Sequence, residues 1–391
     1  MTIYLDNQAT TRTDPAVIAA MLPLMETYYA NPGSSSHAPG RLVGEWVDAA
    51  VSKMAGLLNV ASDELIVTSG ATESNNLALF GVALHPKQKR RTIVALVTEH
   101  RALLDPLSRL EKNGFEIIRL PVRQCGEPDT GIVPLDRIAE AINEKTALVS
   151  VMMANNEIGA IQPLSEIAKI CQRFDVPLHT DASQAVGRLQ IDVQALGVDL
   201  VSFSAHKFYG PKGIGGLIVR QSPTSVQLQP QILGGGQQQN LRSGTLNSVG
   251  ILGMAKAMEL AAANRESEMA EQERLRNLLW LLLNERIDGL KLNGPELIVE
   301  KRLANNLNVC FPKVEGQSLM LAVPELAVSS GSACTSAEPH PSHVLLGIGL
   351  SVDQARSSLR FGLGRFTTEE EIRMTADWLG KAHAKLASFA A

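Results

Sequence analysis

The sequence predicts an α/β fold, with a large and mainly parallel sheet covered by helices and a smaller α+β domain after it. Three observations carry this. Short β-branched runs alternate with helical patterns from Glu64 onward. Those runs are apolar almost throughout, as strands buried on both faces must be. After Gly234 the alternation gives way to one long helical stretch and a mixed tail. At 391 residues the chain also exceeds a single ordinary core. The expected division is residues 13–262 for the large domain, with 1–12 and 263–391 forming the small one.

In order, "ELIVTSG" leads into the helical "ATESNNLALFGVAL", and "RTIVALVTEH" into "RALLDPLSRLEKNG". "TALVSVMMANNE" precedes "PLSEIAKICQRFD", and "VPLHTDAS" is followed by "VDLVSFSAHK". The stretch "SVGILGMAKAMELAAANRESEMAEQERLRNLLWLLLNERI" lacks proline and predicts one long helix, or two in sequence, passing between the domains. Beyond Lys291, "NNLNVCF" and "LAVSSGSA" read as strands, and a last helix follows Thr368.

Composition narrows the function. A net charge of −4 without a basic stripe argues against nucleic acid. The longest purely apolar helical run, Leu278 to Leu283, is too short to cross a bilayer. The start "MTIYLDNQATT" lacks the basic and apolar regions of a signal peptide, so the cytoplasm is expected. Four dispersed cysteines offer neither a zinc ribbon nor a disulfide framework.

In parallel sheets, ligands bind outside the carboxyl ends of strands. Here those ends are polar. "TSGATES" sets a glycine turn and Thr72 at a helix start, a place that suits a phosphate. His100 follows "TEH", Asn155 and Asn156 stand in "ANNEIG", and Asp181 and Gln184 stand in "HTDASQ". "SFSAHK" delivers Ser204, His206 and Lys207. Taken singly, each is as well explained by a helix cap or a satisfied core residue. Together they ask for pyridoxal 5'-phosphate. A lysine in apolar surroundings can form a Schiff base, a carboxylate keeps a pyridine nitrogen protonated, and Thr72, Ser204 and His206 would neutralise the phosphate. A nucleotide would leave Asp181 unexplained, and "GPKGIGG" lacks the G-K-[ST] of a P-loop.

The ordered blocks "YLDNQATT", "NPGSSSHAPGR", "TSGATESNNLAL", "ANNEIGAIQP", "HTDASQAVG", "SFSAHKFYGPKGIGG", "GGGQQQNLRSGT", "SSGSACTS", "PSHVL" and "LRFGLGR" span nearly the whole chain. In them the sequence resembles the NifS/IscS-type cysteine desulfurases, class V aminotransferases of PLP fold type I. The resemblance implies a seven-stranded-type sheet, L-cysteine as substrate, and alanine plus an enzyme persulfide as products. It further implies a homodimer and an iron–sulfur scaffold or other sulfur-acceptor protein as partner, with tRNA thiolation a further outlet. Lys207 would hold the cofactor and move the substrate proton, and His100 would stack on the ring and serve acid–base steps. Asp181 would pair with the ring nitrogen, Gln184 with the ring hydroxyl, and Asn156 would lie beside cofactor and substrate. Ala71, Thr72, Ser204 and His206 would bind the phosphate, with Thr245 reaching that of the neighbouring subunit. Arg360 would take the substrate carboxylate. Cys334 would attack the substrate sulfur, and it is the candidate ligand of an iron–sulfur cluster on a scaffold.

Of the other cysteines, Cys171 and Cys310 fall in apolar patterns and read as core, while Cys125 in "RQCGEP" reads as exposed. Cys334 is set apart by the small residues of "VSSGSACTSAEPHPSH", which suit an arm that reaches a site and then a partner. Gln8, "GGGQQQN", Leu246 and "AEPHPSH" depart from the usual "LDNNATT", "GGGQERG", "RSGT"-glutamate and "LEPSH" patterns. None is expected to touch a residue with a role, although the charged pair lost in "GGGQQQN" bears on the subunit contact or partner docking. Two rival readings are an aminotransferase or lyase on the same cofactor, which would not need Cys334, and a binding or scaffold protein that has lost catalysis.

Overall fold

The computed structural model describes residues 2–221, 226–330 and 341–389. After a short first strand, β1 (Ile3–Tyr4), the chain builds β2 (Leu65–Thr68), β3 (Thr92–Leu96), β4 (Glu116–Leu120), β5 (Thr146–Ser150), β6 (Leu178–Asp181), β7 (Leu200–Ser204) and β8 (Gly215–Val219). These seven later strands form one sheet in the order β2-β8-β7-β6-β5-β3-β4. All run parallel except β8, which is antiparallel to both neighbours.

The apolar runs are long enough to be strands and too short to be helices, and the central ones are buried at every residue. Helices cover them. Ala71–Ala83 packs against β7 and β8, and Arg101–Lys112 against Ala71–Ala83 and β4. The polar residues that end β2, β3, β5, β6 and β7 therefore gather at one edge of the sheet. Because β8 runs backwards, its first residue, Gly215, sits at that edge beside Ser204.

The long helical stretch is one helix of 37 residues, Ser248–Asn284, roughly 55 Å at 1.5 Å per residue. Its first half (Ile251, Met254, Met258) packs into the core under the large sheet. Its second half (Leu275, Leu279, Leu283) belongs to a separate core shared with Ile3, Leu5, Phe311, Phe361 and Leu379. That second core is roofed by an antiparallel sheet of β9 (Lys291–Leu292), β10 (Asn306–Cys310) and β12 (Ser358–Gly362), with β10 in the middle. Strand β11 (Leu326–Ala327) pairs in parallel with β1, so the N-terminus is stitched to the C-terminal region. Among the described residues no helix is long and apolar enough to cross a membrane.

Candidate active site

A cavity of about 550 Å³ opens at the carboxyl edge of the large sheet. It collects Ala71, Thr72, His100, Asn156, Asp181, Gln184, Ser204, His206, Lys207 and Arg360, residues that the sequence pointed to from six separate segments. Thr245 is exposed and does not line it, and Cys334 lies outside the described residues.

Asp181 is the last residue of β6 and is 6 % exposed. Its Oδ2 accepts from Asn75 Nδ2 at 2.7 Å and its Oδ1 from the Ser183 amide at 2.9 Å. These bonds fix the carboxylate, and two of its roughly four lone-pair positions remain for a ligand. Behind it on β6, His179 is held by Ser150 and Ser202 hydroxyls at 2.8 and 2.9 Å. Burial pushes that imidazole down to about 4, so it is neutral at physiological pH.

Lys207 ends a single helical turn after β7. The sequence placed its amine in apolar surroundings, but Nζ donates to the main-chain oxygens of Gln8 at 2.6 Å and Ala9 at 2.8 Å, and the residue is only half-buried. This also corrects the reading of Gln8 as remote from the site. Its main-chain oxygen takes bonds from both Lys207 and Gln184, and its Oε1 accepts from Asn306 Nδ2. A departure at position 8 therefore leaves the Lys207 contact in place, because the backbone makes it.

His100 caps the helix Arg101–Lys112, its Nδ1 accepting from the Ala102 amide at 3.1 Å. That bond assigns the proton to Nε2. Burial holds the imidazole below its ordinary range, assisted by the Lys207 ammonium and opposed by Asp181. His206 is pushed further, to about 4, by burial and by Lys207 and Lys212. His206 Nδ1 lies 3.0 Å from Thr10 Oγ1, and the residue lines the cavity where the sequence expects a phosphate. Lys212 and Arg101 line the same cavity and are cations to which the sequence reading gave no role.

The anion cradle is made by close backbone approach. Gly70, at φ +148°, precedes the helix Ala71–Ala83, and a Cβ there would lie 3.4 Å from Ser204 Oγ. A Cβ on Gly215 would lie 2.3 Å from the Phe203 oxygen and 2.8 Å from Gly70 Cα. Only glycine permits this approach, which leaves the first helical amides and Ser204 lining one concavity.

Arg360 is 2 % exposed and comes from β12. Its Nη2 pairs with Asp6 Oδ1 at 2.7 Å, its Nη1 donates to the Asn156 oxygen at 3.0 Å, and its Nε is buried without a partner among the described residues. Asp6 also accepts from Ser329 Oγ at 3.0 Å, and Ser329 exchanges main-chain bonds with Arg360. On the far side of residues 331–340, Ser342 donates to Glu157 and His343 Nε2 bonds the Glu99 oxygen at 2.9 Å. Arg360, Glu157 and His343 all line the cavity. The two ends of the cysteine-bearing segment are thus fastened to its walls. Sequence reasoning missed Asn75, Asp6, Glu157 and His343, although all four stand inside the blocks "TSGATESNNLAL", "YLDNQATT", "ANNEIGAIQP" and "PSHVL".

The remaining thiols match their sequence patterns. Cys171 and Cys310 are buried, and burial raises both, Cys171 to about 12, while Cys125 is exposed. Among the described residues no cluster of three or more histidines, cysteines or acids could hold a metal.

The family model described as Aminotransferase class-V matches residues 3–374. The chain belongs to the class-V aminotransferase family. A cysteine desulfurase IscS of Anaeromyxobacter dehalogenans (strain 2CP-C) is 46 % identical over 98 % of this chain and 93 % of the relative. One from Rickettsia rickettsii (strain Iowa) is 45 % identical over 95 % and 88 %. Among solved structures, a NifS-like protein superposes with a TM-score of 0.88 at 35 % identity, covering all of both chains. SspA in complex with cysteine superposes at 0.80 with 32 % identity, covering 94 % of this chain and all of that one. The fold is PLP fold type I, and class-V enzymes work with pyridoxal 5'-phosphate. The cavity fits that group on its own chemistry. It offers a fixed carboxylate, an amine, a glycine-lined anion cradle and a buried Gln184 Oε1 that has no partner among the described residues.

Proposed function

We propose that this class-V chain is a cysteine desulfurase, which takes sulfur from L-cysteine onto Cys334 and releases L-alanine. The observation that carries this is the convergence of Lys207 and Asp181 on one cavity whose walls anchor both ends of the segment bearing Cys334. Cys334 is five residues from Ser329, so the chain lets it range at most about 18 Å from that anchor. A transaminase needs no such tethered thiol.

Bound pyridoxal 5'-phosphate supplies an electron sink next to the amino group of an amino acid. Asp181, fixed by Asn75 and Ser183, would face the ring nitrogen, and Gln184 would meet the ring hydroxyl. The helix start at Ala71 and Thr72, with Ser204 and His206, would hold the phosphate. His100 would lie on the ring with its Nε2 proton available. Lys207 would carry the cofactor and then hold or release a proton at Nζ, steadied by the Gln8 and Ala9 oxygens. Arg360 would receive the substrate carboxylate through its unpartnered Nε and by exchange of its Asp6 or Asn156 contact, with Asn156 alongside. The Cys334 thiolate would form an S–S bond to the substrate sulfur as the Cβ–S bond breaks, the electron pair of that bond staying with the carbon fragment, which takes up protons and leaves as alanine.

The reading extends to a homodimer, in which Thr245 reaches the neighbouring subunit's phosphate. Its support is the exposure of Thr245 together with Ile232 and Leu233, apolar residues 41 % and 78 % exposed in the same loop. An iron–sulfur scaffold or another acceptor protein would then draw the sulfur from Cys334 in the cytoplasm, and Cys334 would be the ligand if a cluster forms between them. Borohydride reduction of the cofactor-loaded protein, followed by peptide mapping, tests the cofactor site. The label is expected on Lys207, and a label on Lys212 or none would refute the assignment.

A further inference from the structure

Glu73 occupies an awkward position. It is the third residue of the helix Ala71–Ala83, whose start faces the anion cradle, and it lines the same cavity as Thr72, Ser204 and His206. A carboxylate in a first helical turn is favoured by the helix dipole, but it competes there with any incoming anion. Burial pushes its carboxyl up, yet bonds from Arg242 and Ser69 outweigh this and hold it below the ordinary glutamate range. Glu73 is therefore ionised at neutral pH.

What contains that charge is Arg242. Its Nε donates to Glu73 Oε1 at 2.8 Å and its Nη2 to Oε2 at 3.4 Å, with side-chain exposures of 23 % and 17 %. Oε2 also accepts from the Ser69 amide at 2.8 Å. Arg242 is itself held from behind. Its main-chain oxygen accepts from Gln238 Nε2 at 3.2 Å, and the Gln238 amide clips the exposed edge of β2, taking the Val67 N–H at 2.6 Å and donating to the Val67 oxygen at 3.0 Å. Only an amide can accept and donate in this way, and a carboxylate at position 238 could not. The clip fastens a turn in which Gln238, Gln239 and Asn240 all lie at positive φ (50°, 59° and 64°), a conformation costly for residues with a Cβ.

We infer that Arg242 is a positioning residue for the cofactor phosphate, holding Glu73 as a paired carboxylate so that the cradle accepts a dianion, with Gln238 fixing the Arg242 backbone. The inference rests on the cofactor reading proposed above. It gives the "QQQN" departure a role within one subunit, at the phosphate, in addition to any at the subunit contact.

The test is equilibrium binding to the full-length apoprotein, with pyridoxal 5'-phosphate and phosphate-free pyridoxal as the two probes. Arg242→Gln should weaken binding of the phosphate ester by tenfold or more while pyridoxal binding changes less than about twofold. Glu73→Gln keeps an acceptor for the Ser69 amide and should bind the ester at least as tightly as the wild type. The double variant should return to within about threefold of wild type, which a misfolded loop could not do. If Arg242→Gln binds the ester normally, loses pyridoxal and the ester equally, or is not rescued by Glu73→Gln, the inference is wrong. It is equally wrong if Glu73→Gln alone weakens the ester, since the pair would then be a structural clip. A wild-type apoprotein that binds neither probe overturns the cofactor reading itself, whereas normal wild-type binding with any of the failures above overturns this inference alone.

Discussion

Gly215→Ala places one methyl group where the fold has no space for it. Its Cβ would stand 2.3 Å from the Phe203 oxygen and 2.8 Å from Gly70 Cα. Both obstacles are backbone, so neither can swing aside as a side chain would. To reach even a 3.0 Å contact, β8 and β7 must separate by about 0.7 Å at their junction, and the turn at Gly70 must retreat by about 0.2 Å. Overpacking of this kind costs about 1–3 kcal/mol. The displacement points at the cradle, because Gly70 opens the phosphate-facing helix and Ser204 pairs with Gly215. Urea unfolding of the apoprotein should register the stability loss, and titration with pyridoxal 5'-phosphate should show affinity reduced by tenfold or more. Gly56→Ala is the control, since it lies in a helix with nothing within 4 Å of the new methyl, and it should raise stability by about 0.5–1 kcal/mol. A Gly215→Ala protein with wild-type stability and cofactor affinity would refute the idea that backbone contact shapes the cradle.

Asp181→Asn should retain cofactor, because the phosphate cradle is untouched, yet form alanine at least a hundredfold more slowly, about 2.7 kcal/mol of barrier. Near-normal turnover of the loaded variant would remove Asp181 from its role. For His179, the unfolded chain takes up a proton below about pH 6.5 that the folded chain refuses until about pH 4. Stability must therefore fall as pH drops through that window, by about 3 kcal/mol in all. In His179→Gln this part of the acid sensitivity should vanish, and an unchanged slope of unfolding free energy against pH between 6.5 and 4 would contradict the assignment of a neutral buried imidazole.

Much of this architecture is visible in the sequence for a simple reason. Strands such as "TIVAL" and "LVSFS" are buried on both faces, so their composition alone marks them, and the polar residue that ends each one is at the ligand edge by topology. The backward direction of β8 is a different matter. "GGLIV" is as apolar as its parallel neighbours, and only the short loop from Lys207 hints that it pairs antiparallel. Residues that reach the cavity from elsewhere are less visible still. Asp6 arrives through the pairing of β1 with β11, and Arg360 through the small sheet, so neither position follows from local pattern. Both stand inside family blocks, "LRFGLGR" and "YLDNQATT", which mark them only by resemblance. The contact between Gln8 and Lys207 is made by a main-chain oxygen, which no side-chain motif encodes. Glu73 and Arg242 lie 169 residues apart, so no local pattern pairs them.

The central claim is that one cavity, built on Lys207 and Asp181, is served by the tethered thiol of Cys334. Intact-mass and peptide mapping of the cofactor-loaded protein after a brief exposure to L-cysteine, with alanine measured in parallel, tests it most directly. One added sulfur is expected on the peptide containing Cys334, with alanine released alongside. Cys334→Ser should still bind cofactor and cysteine but form neither persulfide nor alanine at more than a small fraction of the wild-type rate, while Cys125→Ser should behave as wild type. Alanine and sulfur released by Cys334→Ser at the wild-type rate, or the added sulfur found on Cys125, would contradict that claim.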